Sequence, residues 1–343
     1  MEKITTIGLD LAKSVFQVRA ITESGNVAVR RLLRRSQVLD FFRHMEPCLV
    51  GIEACGSAHY WANAIGEFCH TVRLMPSAYV KPYVKRNKTD AADAEAICEA
   101  VTRPTMRFVP VKSPEEQAAG MVLKTRELLV RQRSQTANAL RAHMAELGII
   151  AATGMTSIAK LVAILHDDQD RRLPVSARAA LLEMADQIER LTERIEKLDT
   201  KIVAAVKADD AARRLTTMPG GGPIIAATVR ATVQDPAAFR TGRDLAAWIG
   251  IIPRSNSSGG KERVRKISNR GNKQLRTLLI VGATSILKQA RRGAKLPAWV
   301  LSLMARCPYK VTAVALANKM ARTIWALLVK GGTYRAPAIM ATP

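Results

Sequence analysis

The stretch "KITTIGLDLAKSVFQVRAITESGNVAVRRLL", residues 3–33, contains three strand-like runs in direct succession. The first run is β-rich and ends at Asp10, and the second alternates, with Phe16, Val18 and Ala20 on one face. The third run follows a turn at residues 23–26. Apolar residues that alternate with polar ones, between turn residues, are typical of strands. The sequence therefore predicts that the chain begins with a β-meander.

Strands and helices alternate after this meander. "LVGIEAC" is a nearly continuous apolar run that ends as a strand at Glu53, and "HTVRLMP" predicts a fifth strand. Helical patterns lie at residues 37–45, 58–68 and 90–101. Strands that are joined through helices belong to a mixed sheet with helices against it. Residues 1–112 are therefore predicted to form an α/β domain.

The remainder of the chain has helical patterns. Residues 113–212 predict a helical, coiled-coil segment, residues 213–335 a mainly helical third domain, and residues 336–343 a tail. One long helix has apolar residues at alternating steps of three and four, which is a heptad seam. Such a seam packs either on the same chain or against another copy, and the pattern leaves both open. The seam residues are Leu181, Met184, Ile188, Leu191, Ile195, Leu198 and Ile202.

The composition indicates a polyanionic partner. Lys and Arg number 53 against 29 Asp and Glu, which gives a formal net charge of +24, while aromatic residues make up 4 %. Basic side chains neutralise phosphates, and the scarcity of aromatic residues argues against base stacking as the main binding device. The five cysteines include no CxxC pair and read as reduced thiols. With neither a signal peptide nor a long apolar run, we expect a soluble cytoplasmic protein, associated with the bacterial nucleoid and without a membrane partner.

Four acidic residues stand at element ends. Asp10 and Glu53 each end a predicted strand, and Asp90 and Asp93 open the helix at 90–101, on one face. Clustered carboxylates repel unless a cation compensates them, and hard oxygen ligands suit Mg²⁺ or Mn²⁺. Two such ions can clamp the attacking and leaving oxygens of a phosphodiester. Strand order and acid placement together predict an RNase H-like nucleotidyl-transfer domain.

Each acid also has a simpler interpretation. A lone aspartate at a strand end is commonly a turn former, and Asp90 could serve only as the cap of its helix. Glu95 lies two residues beyond Asp93, and we expect it to face elsewhere and to be solvated. The basic residues that precede the helix are predicted to hold the phosphate backbone beside the metal. They are Lys81, Lys85, Arg86 and Lys88.

A second basic stretch is "WIGIIPRSNSSGGKERVRKISNRGNKQLR", residues 248–276. Its serines precede two glycines, in what the sequence predicts to be a flexible exposed loop. A serine there could attack phosphorus, or it could donate hydrogen bonds to phosphates, and the residue pattern alone favours the second role. The basic residues predicted to bind nucleic acid are Arg254, Lys261, Arg263, Arg265, Lys266, Arg270, Lys273 and Arg276.

Five motifs, in this order between Ile4 and about residue 330, carry a family resemblance. They are "GLDLAKSVFQV", "GIEACGSAHYW", "RNKTDAADAEAI", "MPGGGPIIAATV" and "GIIPRSNSSGGKERVRKISNRGNKQLR". The chain resembles the DEDD transposases of bacterial insertion sequences, and more closely the bridge-RNA-guided serine recombinases, in the subgroup with short terminal inverted repeats. This resemblance implies an N-terminal RuvC-like domain, a coiled coil and a C-terminal transposase domain.

The resemblance also implies a mechanism. Asp10, Glu53, Asp90 and Asp93 would bind Mg²⁺, and Ser258 would be the catalytic nucleophile, with Ser257 as the near alternative. A 5′-phosphoserine intermediate would precede strand exchange between donor and target DNA. A structured guide RNA from the non-coding end of the element would pair with both DNAs. The enzyme would be a tetramer built from dimers, whose active sites combine domains of two subunits.

Two other classes of function compete with this one. A RuvC-like nuclease that cleaves branched DNA by metal-activated water needs the acids but no serine. A non-catalytic nucleic-acid scaffold needs neither, and its acids would be structural. The recombinase is preferred because the resemblance covers most of the chain, whereas a nuclease gives no reason for the residues beyond the first domain and the coiled coil. The composition fits the resemblance, since guidance by RNA would leave the protein mainly contacts to the nucleic-acid backbone.

Overall fold

The computed structural model describes residues 2–85, 89–258, 261–268, 271–290, 292 and 296–335, with residues 255–258 and 261–266 described by their backbone alone. The chain divides into two compact units, Met1–Ala118 and Ala119–Pro343. The finer division, with boundaries after residues 112, 212 and 335, stays a prediction, and the expected tail at 336–343 lies outside the described residues.

A five-stranded mixed sheet forms the centre of the first unit. Its order is β3-β2-β1-β4-β5, in which β1, β2 and β3 are antiparallel neighbours and β4 and β5 run parallel to β1. The predicted meander and mixed sheet are therefore confirmed. The strands are β1 (Ile4–Leu11), β2 (Val15–Thr22), β3 (Val27–Arg34), β4 (Leu49–Glu53) and β5 (Thr71–Met75).

Helices cover both faces of this sheet. Phe16 and Val18 of β2 are fully buried in the cluster that includes the first two helices, α1 and α2. The opposite face contacts α4, which begins and ends where the sequence predicted. A short helix, α3, and a 3₁₀ turn at Lys81–Tyr83 were not predicted. The helices are α1 (Val38–Arg43), α2 (Ala58–Gly66), α3 (Ser77–Val80) and α4 (Asp90–Val101).

Helix α4 lies unusually close to the sheet because two strand positions have no side chain. A Cβ atom at Gly8 would lie 2.3 Å from the carbonyl oxygen of Ala94 and 2.6 Å from the backbone nitrogen of Cys98. A Cβ atom at Gly51 would lie 2.8 Å from the Cβ of Val101. Real Cβ atoms do not approach so closely, so these glycines set the distance between the helix and β1 and β4.

The second unit is mainly helical. Its longest helices are α5 (Pro114–Glu146), which begins in the first unit, and α7 (Val175–Ala208). Between them lies α6 (Thr156–Leu165). The others are α8 (Asp210–Thr216), α9 (Pro223–Thr232), α10 (Gly242–Ile249), α11 (Lys273–Ala290), α12 (Ala298–Arg306) and α13 (Tyr309–Lys330). Among the described residues, none of the helices combines the length and apolar character needed to cross a membrane.

The serine stretch was predicted to be a flexible exposed loop, and the structure shows the serines on a strand of a β-hairpin, so the prediction of a loop was wrong. Strand β6 (Pro253–Ser258) pairs antiparallel with β7 (Lys261–Ile267). The strands were missed because their residues are mostly polar, which hides the apolar alternation that usually reveals a strand. The available signal was the Gly259-Gly260 pair, since two glycines between short runs are typical of a tight hairpin.

The heptad seam of α7 packs on its own chain. Leu181 and Ile188 are buried in one cluster with Leu140 of α5 and Leu161 of α6. Ile202 belongs to a second buried cluster, which includes helices α8 to α13. Polar contacts accompany this packing: the guanidinium of Arg126 on α5 forms a bidentate ion pair with Asp199, and Arg133 donates to the Thr192 hydroxyl at 3.3 Å. Of the two alternatives for this seam, the structure therefore shows the intrachain one.

We predict that Gly8→Ala destabilises the first unit. The added methyl group would force α4 away from β1, and overpacking of this kind lowers the free energy of unfolding by about 1–3 kcal/mol. Thermal unfolding of the full chain, followed by circular dichroism, measures the change. Gly66→Ala is the matched control, because its Cβ meets nothing within 4 Å on helix α2 and should leave the melting temperature unchanged or slightly higher. Equal melting temperatures for the two variants would contradict the close contact.

Candidate active site

Asp10 and Glu53 are neighbours at the carboxyl ends of two parallel strands. The register pairs Leu9 of β1 with Ile52 of β4, so the next residue of each strand is the acid. Leu9 and Ile52 are fully buried on the side of α1 and α2. Because successive side chains of a strand point to opposite faces, Asp10 and Glu53 lie on the face that α4 covers.

The first turn of α4 brings the other two acids to the same place. Thr89 is the N-cap of this helix, and its hydroxyl accepts a hydrogen bond from the backbone N–H of Ala92 at 3.2 Å. The simpler interpretation of Asp90 as the cap is therefore wrong. Carboxylate oxygens of Asp10, Asp90 and Asp93 all lie within 4.8 Å of one another, an arrangement that could hold a metal ion.

This concentration of negative charge has an electrostatic consequence. Burial, followed by the nearby carboxylates of Asp93, Asp90 and Glu53, raises the pKa of Asp10 to about 6. In the described part of the chain, none of the four acids forms an ion pair with a basic side chain. Four carboxylates that lack a basic partner repel one another, and a divalent cation would remove that repulsion.

Basic residues near α4 compensate a different pair of acids. Arg19 on β2 donates to the Glu95 carboxylate at 2.7 Å, and the Lys85 ammonium lies 3.7 Å from Glu95 and 3.2 Å from Glu99. Glu95 does face away from the cluster of Asp10, Asp90 and Asp93. The expectation that it is solvated was wrong, since it is one-third exposed and fastens α4 to the sheet. Because two carboxylates already lie beside the Lys85 ammonium, its charge is less available to bind a phosphate.

Three other basic residues before α4 were predicted to bind phosphate, and the structure describes one of them. Lys81 is exposed in the 3₁₀ turn before α4, where a phosphate can reach it. Arg86 and Lys88 lie outside the described residues.

The hairpin residues are placed through their backbone. Ser258 is the last residue of β6 and pairs with Lys261, and Ser257 pairs with Glu262. Arg263, Arg265 and Lys266 belong to β7, and Arg270 lies outside the described residues.

Arg254 is the second residue of β6, Lys273 and Arg276 belong to α11, and the side chains of all three are described. Arg254 and Lys273 are exposed, as a phosphate contact requires. Arg276 is 8 % exposed and donates to the carbonyl of Ile249 at 2.8 Å. Its assignment to phosphate binding does not fit this position, because its guanidinium holds α11 against the end of α10.

Comparison with known proteins matches two separate stretches of the chain to families of transposases. Residues 7–149 match a family model described as "Transposase", of the DEDD type, and residues 212–296 match one described as "Transposase IS116/IS110/IS902 family". The "Probable family 20 transposase" of Pseudomonas aeruginosa is 46 % identical over 97 % of this chain and 99 % of that protein.

Two further relatives carry insertion-sequence names. The "Transposase for insertion sequence element IS1111A" of Coxiella burnetii is 36 % identical over 98 % of this chain and 93 % of that protein. The "Transposase for insertion sequence element IS1328" of Yersinia enterocolitica is 34 % identical over 97 % of this chain and 99 % of that protein. The chain belongs to the IS110/IS116/IS902 transposase family. It is therefore a transposase, an enzyme that cleaves and recombines DNA during transposition.

Three residues that hold the transposase acids in position were not predicted from the sequence, although two of them carry a recognisable signal. Thr89 precedes α4 directly, and a threonine before a helical pattern is a capping signal that would have found it. Gly8 stands inside an apolar strand, where glycine often marks a close approach of another backbone. Arg19 gave no such signal, because an arginine on a strand does not reveal a carboxylate partner 76 residues away.

We predict that Asp10→Asn stabilises the transposase in the absence of metal. The amide keeps the size of the side chain but removes one of the mutually repelling charges, so the melting temperature in EDTA should rise. Mg²⁺ or Mn²⁺ should raise the melting temperature of the wild type, because a ligand that binds only the folded state stabilises it. That metal-dependent increase should be lost in Asp10→Asn.

Glu67→Gln is the control for this experiment, because it removes one exposed negative charge at the end of α2, away from the four acids. It should keep the wild-type response to metal. A full metal-dependent increase in Asp10→Asn would remove Asp10 from the ligand set.

Proposed function

We propose that this transposase is an RNA-guided DNA recombinase that cleaves DNA with a serine nucleophile. Asp10, Glu53, Asp90 and Asp93 bind Mg²⁺, and Ser258 attacks the scissile phosphate. The observation that supports metal binding is that carboxylate oxygens of Asp10, Asp90 and Asp93 lie within 4.8 Å of one another. The family match over residues 212–296, which includes the hairpin, supports a role for the second unit in the reaction.

The ligands fit a hard divalent cation. All four candidate ligands are carboxylates, and carboxylate oxygens suit Mg²⁺ and Mn²⁺ better than softer metals. A cation held there supplies positive charge against the developing charge of a phosphodiester under attack. The residues themselves determine where it binds: β1 and β4 fix Asp10 and Glu53, and the capped first turn of α4 fixes Asp90 and Asp93.

The proposed chemistry exchanges one phosphodiester for another. The Ser258 oxygen loses its proton and bonds to phosphorus, while the bond from phosphorus to the 3′ oxygen breaks and that oxygen becomes a 3′ hydroxyl. The product is a 5′-phosphoserine. A 3′ hydroxyl from a different strand then attacks the same phosphorus, which releases the serine and joins the strands. The number of phosphodiester bonds is unchanged, so no external energy source is needed.

The choice of Ser258 rests on resemblance to the family motif, in which the nucleophile precedes a glycine. Ser257 is the alternative, since it is the adjacent residue of β6. The acids belong to the first compact unit and these serines to the second. We propose that a tetramer built from dimers combines the acids of one subunit with the serine of another.

Sequence specificity is proposed to come from a structured guide RNA that pairs with donor and target DNA. The net charge of +24 with 4 % aromatic residues supports this division, because the protein then needs mainly contacts to phosphates. A RuvC-like nuclease that uses activated water is less favoured, since relatives called transposases match almost the whole chain.

A covalent trap tests the nucleophile. The full chain is incubated with DNA from the ends of its element, its RNA and Mg²⁺, then denatured without protease, and any protein-linked DNA is mapped by mass spectrometry. We expect a phosphoserine at residue 258, absent from Ser258→Ala and present in Ser257→Ala. Asp93→Asn should lose the adduct while it still binds DNA, whereas Glu67→Gln should keep it.

The other outcomes of the trap discriminate between mechanisms. An adduct that persists in Ser258→Ala and is lost in Ser257→Ala would move the nucleophile to Ser257. Cleaved DNA without any adduct, unaffected by either substitution, would overturn the serine mechanism in favour of activated water.

A separate experiment tests guidance by RNA. The transposase is co-expressed with the non-coding end of its element, purified, and assayed for recombination with and without ribonuclease treatment. We expect a discrete RNA to co-purify and its digestion to abolish recombination. Exchange of bases in its pairing segments should redirect recombination to the matching DNA. Full activity after complete digestion would refute guidance.

A further inference from the structure

An open cavity of about 690 Å³ lies in the first unit and is not accounted for by the four acids. Its lining includes three basic side chains and two aromatic rings. The residues that matter here are Lys13, Ser14, Arg34, Arg35, Tyr60 and Trp61. None of them is among the basic residues that the sequence predicted to bind nucleic acid.

The topology places this cavity at the same end of the sheet as Asp10 and Glu53, on the face that α1 and α2 cover, whereas the acids lie on the face that α4 covers. Strands β1 and β3 are both antiparallel to β2, so their carboxyl ends lie at the same end of the sheet. Lys13 follows β1 by two residues, and Arg34 is the last residue of β3. Helix α2, which carries Tyr60 and Trp61, follows β4 and Glu53.

The walls of the cavity are held in place before any ligand binds. The backbone N–H of Arg35 donates to the carbonyl of Ser14 at 3.0 Å, which ties the end of β3 to the turn after β1. The Arg35 guanidinium lies 5.0 Å from the centre of the Trp61 ring, and Trp61 contacts Phe16 edge-to-face at 4.9 Å. A cation stacked on a buried ring loses little freedom when it binds a phosphate.

The charge of the cavity is uncompensated. None of the lining residues is acidic, and within the described residues Lys13, Arg34 and Arg35 form no ion pair. All three are exposed, and Tyr60 beside them is 52 % exposed. Trp61 is 2 % exposed, and its indole N–H has no acceptor among the described side chains and backbone. The cavity therefore offers cations and an exposed ring, and among the residues of known placement no acid competes for them.

We propose that this cavity binds a strand of nucleic acid, with phosphates at Lys13, Arg34 and Arg35 and a base against Tyr60. A strand bound in the cavity would be held by its backbone, as polyanions are held by basic clefts, at the same end of the sheet as the acids and on the other face. The proposal depends on the proposed function only in that the enzyme handles strands of DNA and of guide RNA. DNA and RNA carry the same phosphates, so the experiment titrates both and determines which of the two the cavity binds.

The test measures the salt dependence of binding with the full chain in EDTA, so that no cleavage occurs. Fluorescent single-stranded DNA, duplex DNA and single-stranded RNA of one sequence are titrated over a series of salt concentrations. Loss of one phosphate contact reduces the slope of log K against log salt by about 0.7 for a single strand and about 0.9 for a duplex. We expect Lys13→Gln and Arg34→Gln each to show this reduction.

Lys3→Gln is the matched control. It removes one exposed charge from the same unit, where Lys3 lies 3.2 Å from Glu46 and outside the cavity. Its slope should equal that of the wild type. A reduced slope in the DNA titrations assigns the cavity to a DNA strand, and a reduction confined to RNA assigns it to the guide. Equal slopes for Lys13→Gln, Arg34→Gln and Lys3→Gln with every nucleic acid would overturn the proposal.

A cross-linking experiment gives an independent readout. Strands that carry 5-bromouracil are irradiated with the bound enzyme, and the cross-linked peptide is identified by mass spectrometry. We expect the peptide that contains Tyr60, with loss of the cross-link in Tyr60→Ala. Cross-links that avoid this peptide altogether would count against a base at Tyr60. Because Ser258→Ala leaves this cavity intact, failure of the covalent trap and failure of strand binding remain distinguishable.

Discussion

The contact between α4 and the sheet at Gly8 is the constraint on which the candidate site depends. Two of the acids are on strands and two are on the helix, so the distance between these elements decides whether the carboxylates meet. The absence of a side chain at Gly8 lets the backbone of the helix rest on β1, at Ala94 and Cys98. The ion pair of Arg19 with Glu95 also fastens this helix to the sheet, and Glu95 is not one of the four acids of the candidate site.

The packing that brings the acids together also opposes their charge. Burial beside three other carboxylates raises the pKa of Asp10 to about 6, which means that ionisation of this carboxyl costs more in the folded protein than in the unfolded chain. Stability contributed elsewhere in the fold must offset the repulsion between these carboxylates. Local instability of this kind is characteristic of sites whose side chains are arranged for a ligand rather than for the fold.

The features that were predicted correctly from the sequence are those that depend on the pattern of neighbouring residues. The meander, the mixed sheet and the bounds of α4 follow from apolar periodicity, and the convergence of Asp10 with Asp90 and Asp93 follows from strand ends and helical spacing. Prediction from the sequence failed where the outcome depends on partners distant in sequence. Glu95 looked solvated because Arg19 lies on another strand, and Arg276 looked like a phosphate ligand because its carbonyl acceptor at Ile249 is set by tertiary packing. The hairpin of β6 and β7 was missed because polar strands lack the apolar signal.

The intrachain packing of the α7 seam has a consequence for how copies of this chain associate. A helix whose apolar stripe is buried against α5 and α6 near Leu181 and Ile188, and against the later helices at Ile202, does not need a second copy in order to fold. Obligate dimers, in contrast, have no stable monomer, and their folding depends on their concentration. Folding of α7 is therefore not tied to the concentration of the protein, and any association between copies would use surfaces other than this seam.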